Sequence, residues 1–162
     1  MRIQAQVIRN HRQRYNTAGD WQINSRGFLL VKVSHMWSPR MGWRAEMCLA
    51  VHEICEALLC HAHGVSQEKV DAFDMNYDVM KETCEPGDHH DCPYKKEHAI
   101  ATAIERIMAA ELGLNWSTYE RELLKLSESY ERKKRVPIQY DEPTPNSPDS
   151  TAESEEIPEE NQ

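Results

Sequence analysis

The chain has 162 residues and a formal net charge of −8 at neutral pH. This length is sufficient for one domain with a proper core and is too short to expect two. The negative charge is concentrated near the end, because from Asp141 onward there are eight acidic residues and no Lys or Arg, whereas the preceding part carries 19 residues of each sign. A neutral body argues against nucleic acid as a partner.

No stretch of about 18 apolar residues occurs, and no charged-then-apolar leader opens the sequence. We therefore expect a cytoplasmic protein without a secretory signal and without membrane contact. Five cysteines and no CxxC pair indicate neither a disulfide framework nor a zinc ribbon. Beyond Pro137 the sequence is rich in proline and acid, which predicts a single domain over residues 1–136 and a disordered acidic tail over 137–162.

The pattern of apolar residues predicts an α+β fold. Loose alternation in residues 1–9, the Trp21–Ile23 segment and the apolar run Phe28–Val33 predict a small antiparallel sheet of about three strands within residues 1–36. Four helices are predicted over 45–63, 66–82, 95–112 and 117–135. Gly64 is a natural stop for the first helix, and Ser117 with Glu120 matches a capping box for the fourth.

Apolar stripes at helical spacing predict which helix faces are buried. On the first helix the stripe consists of Met47, Val51, Ile54 and Leu58. On the third helix Ile100, Ile104 and Ile107 are expected to form the core stripe, and His98 and Glu105 share a different face. Asp71 and Asp74 on the second helix are expected to face solvent.

The segment His52-Glu53-Ile54-Cys55-Glu56 carries the strongest chemical signal. On a helix His52 and Glu56 point the same way, one turn apart, and Glu53 lies beside them. In zinc hydrolases with an HExxH helix, the first and last residues bind Zn²⁺ and the intervening Glu is the general base. Here Glu56 replaces the second His, and a carboxylate is an acceptable zinc ligand. The pattern predicts His52 and Glu56 as metal ligands and Glu53 as the catalytic base.

A third ligand is expected from the third helix, and His98 is the best candidate. Glu105 lies seven residues further on, roughly 10 Å of helix, too far to join His98 easily on one ion. Glu105 is therefore expected to support a ligand from behind. Glu97 is a competing ligand or a second supporting carboxylate. His89 and His90, in a polar loop, are weaker candidates.

The chain resembles two groups of proteins. The order of a sheet, a motif helix and a later histidine is similar to gluzincin-like minimal metallopeptidases. The segments HEICEALLC, VDAFD, EPGD and IERIMAAELGLNW, within about residues 45–120, resemble a group of small proteins encoded by phages and prophages. The second resemblance implies an accessory protein in a bacterial cytoplasm and assigns no activity.

Three functions remain open at this stage. The first is a zinc-dependent, metallopeptidase-like hydrolase that acts on a peptide or small molecule. The second is a non-catalytic phage protein that has a structural metal site and binds a host protein. The third is an Mg²⁺-dependent nucleotide pyrophosphohydrolase resembling the MazG type, in which Glu53 and Glu56 form the ExxE motif; neither Glu97 nor Glu105 begins the second carboxylate pair that such enzymes use.

Overall fold

The computed structural model describes residues 1–38, 41–78, 81 and 84–135. Three strands precede four helices, which confirms the α+β class. The strands are β1 (Arg2–Ile8), β2 (Gly19–Ile23) and β3 (Phe28–Ser34), and the helices are α1 (Gly42–His63), α2 (Gln67–Asp74), α3 (Lys95–Glu111) and α4 (Trp116–Arg135). The predicted tail over 137–162 lies outside the described residues. Within them, no helix is both long and apolar enough to cross a membrane.

The sheet has the strand order β1-β3-β2 and is mixed. β2 and β3 form an antiparallel hairpin, in which Gly27 adopts a φ of 72°. β1 runs parallel to β3, so the prediction of an all-antiparallel sheet was wrong for this pair. The crossover after β1 is held by buried side chains, since Asn10 Nδ2 donates to the Thr17 carbonyl and Gln13 Nε2 to the Lys32 carbonyl. Such contacts set strand direction, and apolar alternation does not report them.

The alternation in β3 determines where the core lies. Leu29, Val31 and Val33 are fully buried and belong to a cluster that includes Trp21 of β2 and residues of α1. A second cluster joins the beginning of α1 to the end of α3 and to α4. Its buried members are Met36, Met41, Ala45, Cys48, Ala109 and Tyr119. α1 therefore contributes to both apolar clusters and is the central element of the fold.

The predicted end of α1 is confirmed, whereas the predicted start of α4 is not. Gly64 ends α1 in the left-handed region at a φ of 74°, as predicted. α4 begins one residue earlier than predicted, and its cap is Asn115, whose Oδ1 accepts the Thr118 N–H, rather than the Ser117–Glu120 box. Asn115 caps the helix instead of Ser117 because its side chain, two residues upstream, accepts a hydrogen bond from the first turn.

Most residues of the apolar stripes on α1 and α3 are exposed, although Ile54 packs against the cluster that contains Trp21. Met47 and Leu58 are 47% and 40% exposed, and Ile107 is 66% exposed, so the assignment of the α3 isoleucines to the core was wrong. α1 and α3 instead pack through faces that carry small residues, such as Ala101, and paired polar residues. A hydropathy pattern misses such faces because it scores a buried, partnered His or Glu as solvent-facing.

The acidic residues of α2 are also buried or paired, contrary to expectation. Asp74 is 8% exposed and accepts hydrogen bonds from the hydroxyls of Tyr15 and Tyr94. Asp71 shares the guanidinium of Arg14 with Asp20. These contacts fasten α2 to the crossover, to β2 and to the segment before α3. Burial raises the pKa of Asp74 to about 7.

This raised pKa predicts a pH-dependent contribution to stability. The folded protein keeps a proton on Asp74 up to about pH 7, whereas the unfolded chain releases it near pH 3.8. The contribution is complete below pH 3.8 and is lost as the pH rises through 7. In metal-free protein with EDTA, the stability of the wild type relative to Asp74→Asn should fall by roughly 2–3 kcal/mol from pH 5 to pH 8.

Urea denaturation at the two pH values measures this difference. Asp91→Asn is the control, because Asp91 is 71% exposed at its side chain and should give the same offset at both pH values. If the stability difference between the wild type and Asp74→Asn does not change with pH, the raised pKa of Asp74 is contradicted.

Candidate metal centre

Three predicted ligands come together between α1 and α3. His52 and Glu56 lie one turn apart on α1, and His98 comes from the first turn of α3. One potential ligand atom from each side chain lies within 4.8 Å of the other two, and all three residues are buried. This buried group could hold a metal ion.

The distances suit a tetrahedral ion. With metal–ligand distances of about 2.1 Å, two ligand atoms of such a site are separated by roughly 3.4 Å. His52 Nε2 lies 3.4 Å from Glu56 Oε2, and His98 Nδ1 lies 2.9 Å from the same oxygen. One carboxylate oxygen thus lies near both imidazoles, and two nitrogens and one oxygen form the donor set.

His52 is oriented from behind by a carboxylate. Its Nδ1 lies 2.9 Å from Glu105 Oε2, which leaves Nε2 to face Glu56 and His98. The hydroxyl of Tyr119 donates to the other oxygen of Glu105. A carboxylate on the far nitrogen of a ligating His fixes its tautomer and increases its basicity. Glu105 therefore contacts His52 at the nitrogen that does not face Glu56, which is the placement that a supporting role requires.

Glu56 and His98 also have dedicated neighbours. The indole Nε1 of Trp21 donates to Glu56 Oε1 at 2.9 Å, so Oε2 is the oxygen left for the two histidines. Gly87 lies directly against the imidazole of His98, where an added Cβ would come within 2.1 Å of the ring. The Nε2 of His98 lies 3.8 Å from Glu85 Oε2 and 3.9 Å from Asp88 Oδ1.

The charges of the metal-free cluster are balanced by protons. Burial lowers the pKa of His52, but its bonds with Glu105 and Glu56 outweigh burial and keep the pKa well above its usual value. Burial also raises the pKa of Glu56, but its bonds with the two histidines lower it to about 2. A metal ion would replace protons on these groups, so its affinity should increase with pH.

Glu53 has a different environment from the other acids. It is 8% exposed, and no hydrogen bond to its carboxylate occurs within the described part of the chain. Burial, followed by the charge of Glu56, raises the pKa of Glu53 well above its usual value. Its side chain lies against the backbone of Gly19, where a Cβ would come within 2.3 Å of Oε1. Glu53 is therefore next to the ligands without being tied to a partner.

The remaining candidates lie elsewhere. Glu97 is buried, but its Oε1 lies 2.7 Å from Nδ1 of His63, at the far end of α1, and it is not part of the ligand group. His89, His90 and Asp91 form a second group with ligand spacing, which is largely exposed. Exposed groups of this kind commonly occur without an ion, and we assign none there.

Several residues of the site were not predicted from the sequence. Trp21, Tyr119, Gly19 and Gly87 each act through one contact with a ligand, with Glu105 or with Glu53. They come from three different segments, which are β2, α4 and the loop before α3, and no spacing rule connects them to the motif.

Comparison of the chain with protein-family models, with curated proteins and with solved structures gave no match. The function is therefore inferred from the residues of the site.

The support from Glu105 predicts a loss of metal affinity when it is changed. Glu105→Gln keeps the shape of the side chain but removes the charge that acts on His52, so Zn²⁺ affinity should fall by roughly 10- to 100-fold. Competition against a chromophoric zinc chelator measures this. Glu97→Gln is the matched control, because Glu97 is an equally buried acid of α3 that bonds His63. Equal effects of the two substitutions would show that Glu105 has no special relation to the metal.

Proposed function

We propose that this protein is a zinc-dependent hydrolase of the metallopeptidase type. The observation that carries the proposal is the convergence of His52, Glu56 and His98, with the unbonded carboxylate of Glu53 adjacent to them. Three protein ligands leave one tetrahedral position for a water molecule or a substrate, which is the arrangement of catalytic zinc sites.

The donor set favours zinc over magnesium. Mg²⁺ prefers an octahedral shell of oxygen atoms, whereas two imidazoles and one carboxylate suit Zn²⁺. A nucleotide pyrophosphohydrolase of the MazG type would need a second carboxylate pair opposite Glu53 and Glu56. The group opposite Glu56 is His98, and Glu105 is engaged by His52 and Tyr119. The site therefore supports a zinc-dependent hydrolase better than a nucleotide pyrophosphohydrolase.

The residues of the chain have separate roles in this reaction. A zinc ion held by His52, Glu56 and His98 would supply Lewis acidity, which would make a water molecule nucleophilic at neutral pH and polarise a carbonyl. Glu53 accepts the proton of the attacking water and delivers it to the leaving group. Burial raises the pKa of Glu53, which makes its carboxylate a stronger base for accepting that proton. Glu105 and Trp21 keep His52 and Glu56 in their ligand orientations.

The substrate is proposed to be a peptide, or a small amide or ester. The chemistry of a water attacking a polarised carbonyl applies to all three. The resemblance to phage and prophage proteins, with a bacterial cytoplasm as the location and a host protein as a target, remains a prediction.

A second candidate function is a structural metal site in a non-catalytic binding protein. It is favoured by the burial of the three ligands, whose side chains are each less than one-tenth exposed. The two functions differ in what they require of Glu53. A structural site needs the ligands and their supports, whereas hydrolysis also needs a free base.

Substitution of Glu53 separates the two functions. Zinc-loaded wild-type protein should cleave members of a mixture of unstructured peptides, as detected by mass spectrometry. Glu53→Gln should lower the rate by roughly 10²- to 10⁴-fold because the general base is lost, and it should retain one zinc per chain. His52→Ala should lose the metal itself.

Three outcomes would count against the hydrolase. The first is that purified protein grown with added zinc contains no metal. The second is that zinc-loaded wild-type protein cleaves no peptide, amide or ester, which would favour the structural site. The third is that Mg²⁺ with a nucleoside triphosphate yields pyrophosphate, which would favour the nucleotide reading.

The contact between Gly19 and Glu53 makes a further prediction. A methyl group at position 19 would overlap the Glu53 carboxylate, so Gly19→Ala should displace the base. We expect peptide cleavage to fall at least tenfold while zinc content stays at one per chain. Gly27→Ala is a control for a general loss of sheet stability, because it strains the turn between β2 and β3, where Gly27 has a φ of 72°, while its Cβ would touch nothing within 4 Å. A similar loss of cleavage in both variants would point to a general effect on the sheet.

A further inference from the structure

A cavity of about 610 Å³ opens at one end of the sheet, between the beginning of β1 and the turn that joins β2 to β3. Its charged wall is formed by Arg2 and Arg26, and His61 of the last turn of α1 adds a third polar group. Its apolar wall includes Ile23 and Phe28. None of the residues that line this cavity in the described part of the chain is acidic. We call it the cationic cavity.

The two arginines of the cationic cavity lack a counter-charge. The ion pairs that Arg and Lys side chains form within the described residues involve Arg14, Lys81 and Lys125. Arg2 and Arg26 are not among them. The guanidinium of Arg2 instead lies over the ring of Phe28, 5.4 Å from its centroid, which holds the group in place and leaves its N–H donors available. Two unpaired guanidinium groups that line one cavity attract an anion.

A smaller cavity of about 210 Å³ extends from the cationic cavity toward the metal centre. The two cavities share Ile23 and His61, and Trp21 also lines the smaller one. The indole of Trp21 donates to Glu56, so one side chain contacts both a predicted metal ligand and the smaller cavity. His61 lies five residues after Glu56, roughly 8 Å further along α1. The cationic cavity is therefore only a few residues of extended peptide away from the metal centre.

Positive charge is confined to the end of these cavities that lies away from the metal centre. The smaller cavity is lined by one acidic residue, Glu68, and by no Arg or Lys among the described residues, whereas the cationic cavity is lined by two Arg and no acidic residue. A ligand that reached from the metal centre into the cationic cavity would therefore carry its negative charge at its far end.

The lining of the cationic cavity suits a carboxylate on a short apolar stem. A guanidinium offers parallel N–H donors that match the two oxygens of a carboxylate. Ile23 and Phe28 provide apolar surface beside those donors, against which methylene groups can pack. A peptide presents such a carboxylate either on an Asp or Glu side chain or at its C-terminus.

We propose that the cationic cavity binds a carboxylate of a peptide substrate whose scissile bond lies at the metal centre. The substrate class is then acidic peptides, or peptides whose C-terminus lies a few residues beyond the scissile bond. The cleavage in this inference rests on the proposed function, whereas the binding of the carboxylate does not.

Fluorescence anisotropy of labelled peptides with the full-length Glu53→Gln protein tests binding apart from cleavage, because this variant lacks the proposed base. The probes are neutral, amidated peptides of about ten residues in which a single Glu is moved along the chain, each compared with its Gln counterpart. At the best position, Glu should bind roughly 3- to 10-fold more tightly than Gln, from the usual strength of Arg–carboxylate pairs at partly exposed sites. A Gln peptide with a free C-terminus distinguishes a terminal carboxylate from an acidic side chain.

Substitution of the arginines tests the location of the site. In the same protein, Arg26→Gln should remove most of the preference for a carboxylate. Arg9→Gln is the matched control, because Arg9 is also exposed but follows the other end of β1, roughly 23 Å of strand from Arg2. The double variant Arg2→Glu with Arg26→Glu should prefer a peptide with Lys at that position, a reversal that a loss of structure would not produce.

Binding and cleavage fail separately. If carboxylate binding depends on Arg26 but wild-type protein cleaves no peptide, the carboxylate site is supported and the hydrolase is not. The inference is overturned if neither a Glu at any position nor a free C-terminus improves binding. It is also overturned if Arg26→Gln and Arg9→Gln have equal effects, whether or not peptides are cleaved.

Discussion

The carboxylate of Glu56 is the interaction on which the rest of the structure depends. Its two oxygens connect three elements, because Oε1 accepts the indole N–H of Trp21 from β2 and Oε2 contacts His52 of α1 and His98 of α3. A buried carboxylate without partners would cost several kcal/mol, on the order of a large part of the stability of a domain. The sheet, α1 and α3 are therefore held in the positions that satisfy this group.

Placing this polar cluster between α1 and α3 has a consequence for their apolar residues. The faces through which the helices meet are occupied by His, Glu and Ala side chains, so the isoleucines of α3 lie outside. A helix pair that buries polar groups loses part of the apolar burial that would normally stabilise it. The buried polar cluster and the exposed isoleucines of α3 are thus two results of the same packing of α1 against α3.

The sequence predicts strands and helices, which follow from a repeating apolar pattern, and it misses features that depend on single contacts. The strands, three of the four helices and the stop at Gly64 follow from periodicity and from glycine geometry. The prediction of the second helix over 66–82 was wrong at its end, because α2 ends at Asp74. His98 follows from the need for a third ligand on a later helix. The direction of β1, the burial of Asp74 and the positions of Trp21 and Tyr119 do not follow, because each depends on one hydrogen bond to a distant segment. Pattern rules also fail for the isoleucines, since they treat paired buried charges as surface.

The choice between a catalytic and a structural metal centre depends on how the buried acids are satisfied. Six acidic residues are buried in the described part of the chain, and five of them have partners. Asp20 binds Arg14, Asp74 binds two tyrosines, and Glu97 binds His63. Glu105 binds His52 and Tyr119, and Glu56 binds the other residues of the metal site. Glu53 is the exception. A structural site gains nothing from an unpaired buried carboxylate and bears its desolvation cost. A hydrolase needs that carboxylate free, beside the ligands, to accept a proton, so the unpaired state of Glu53 favours catalysis.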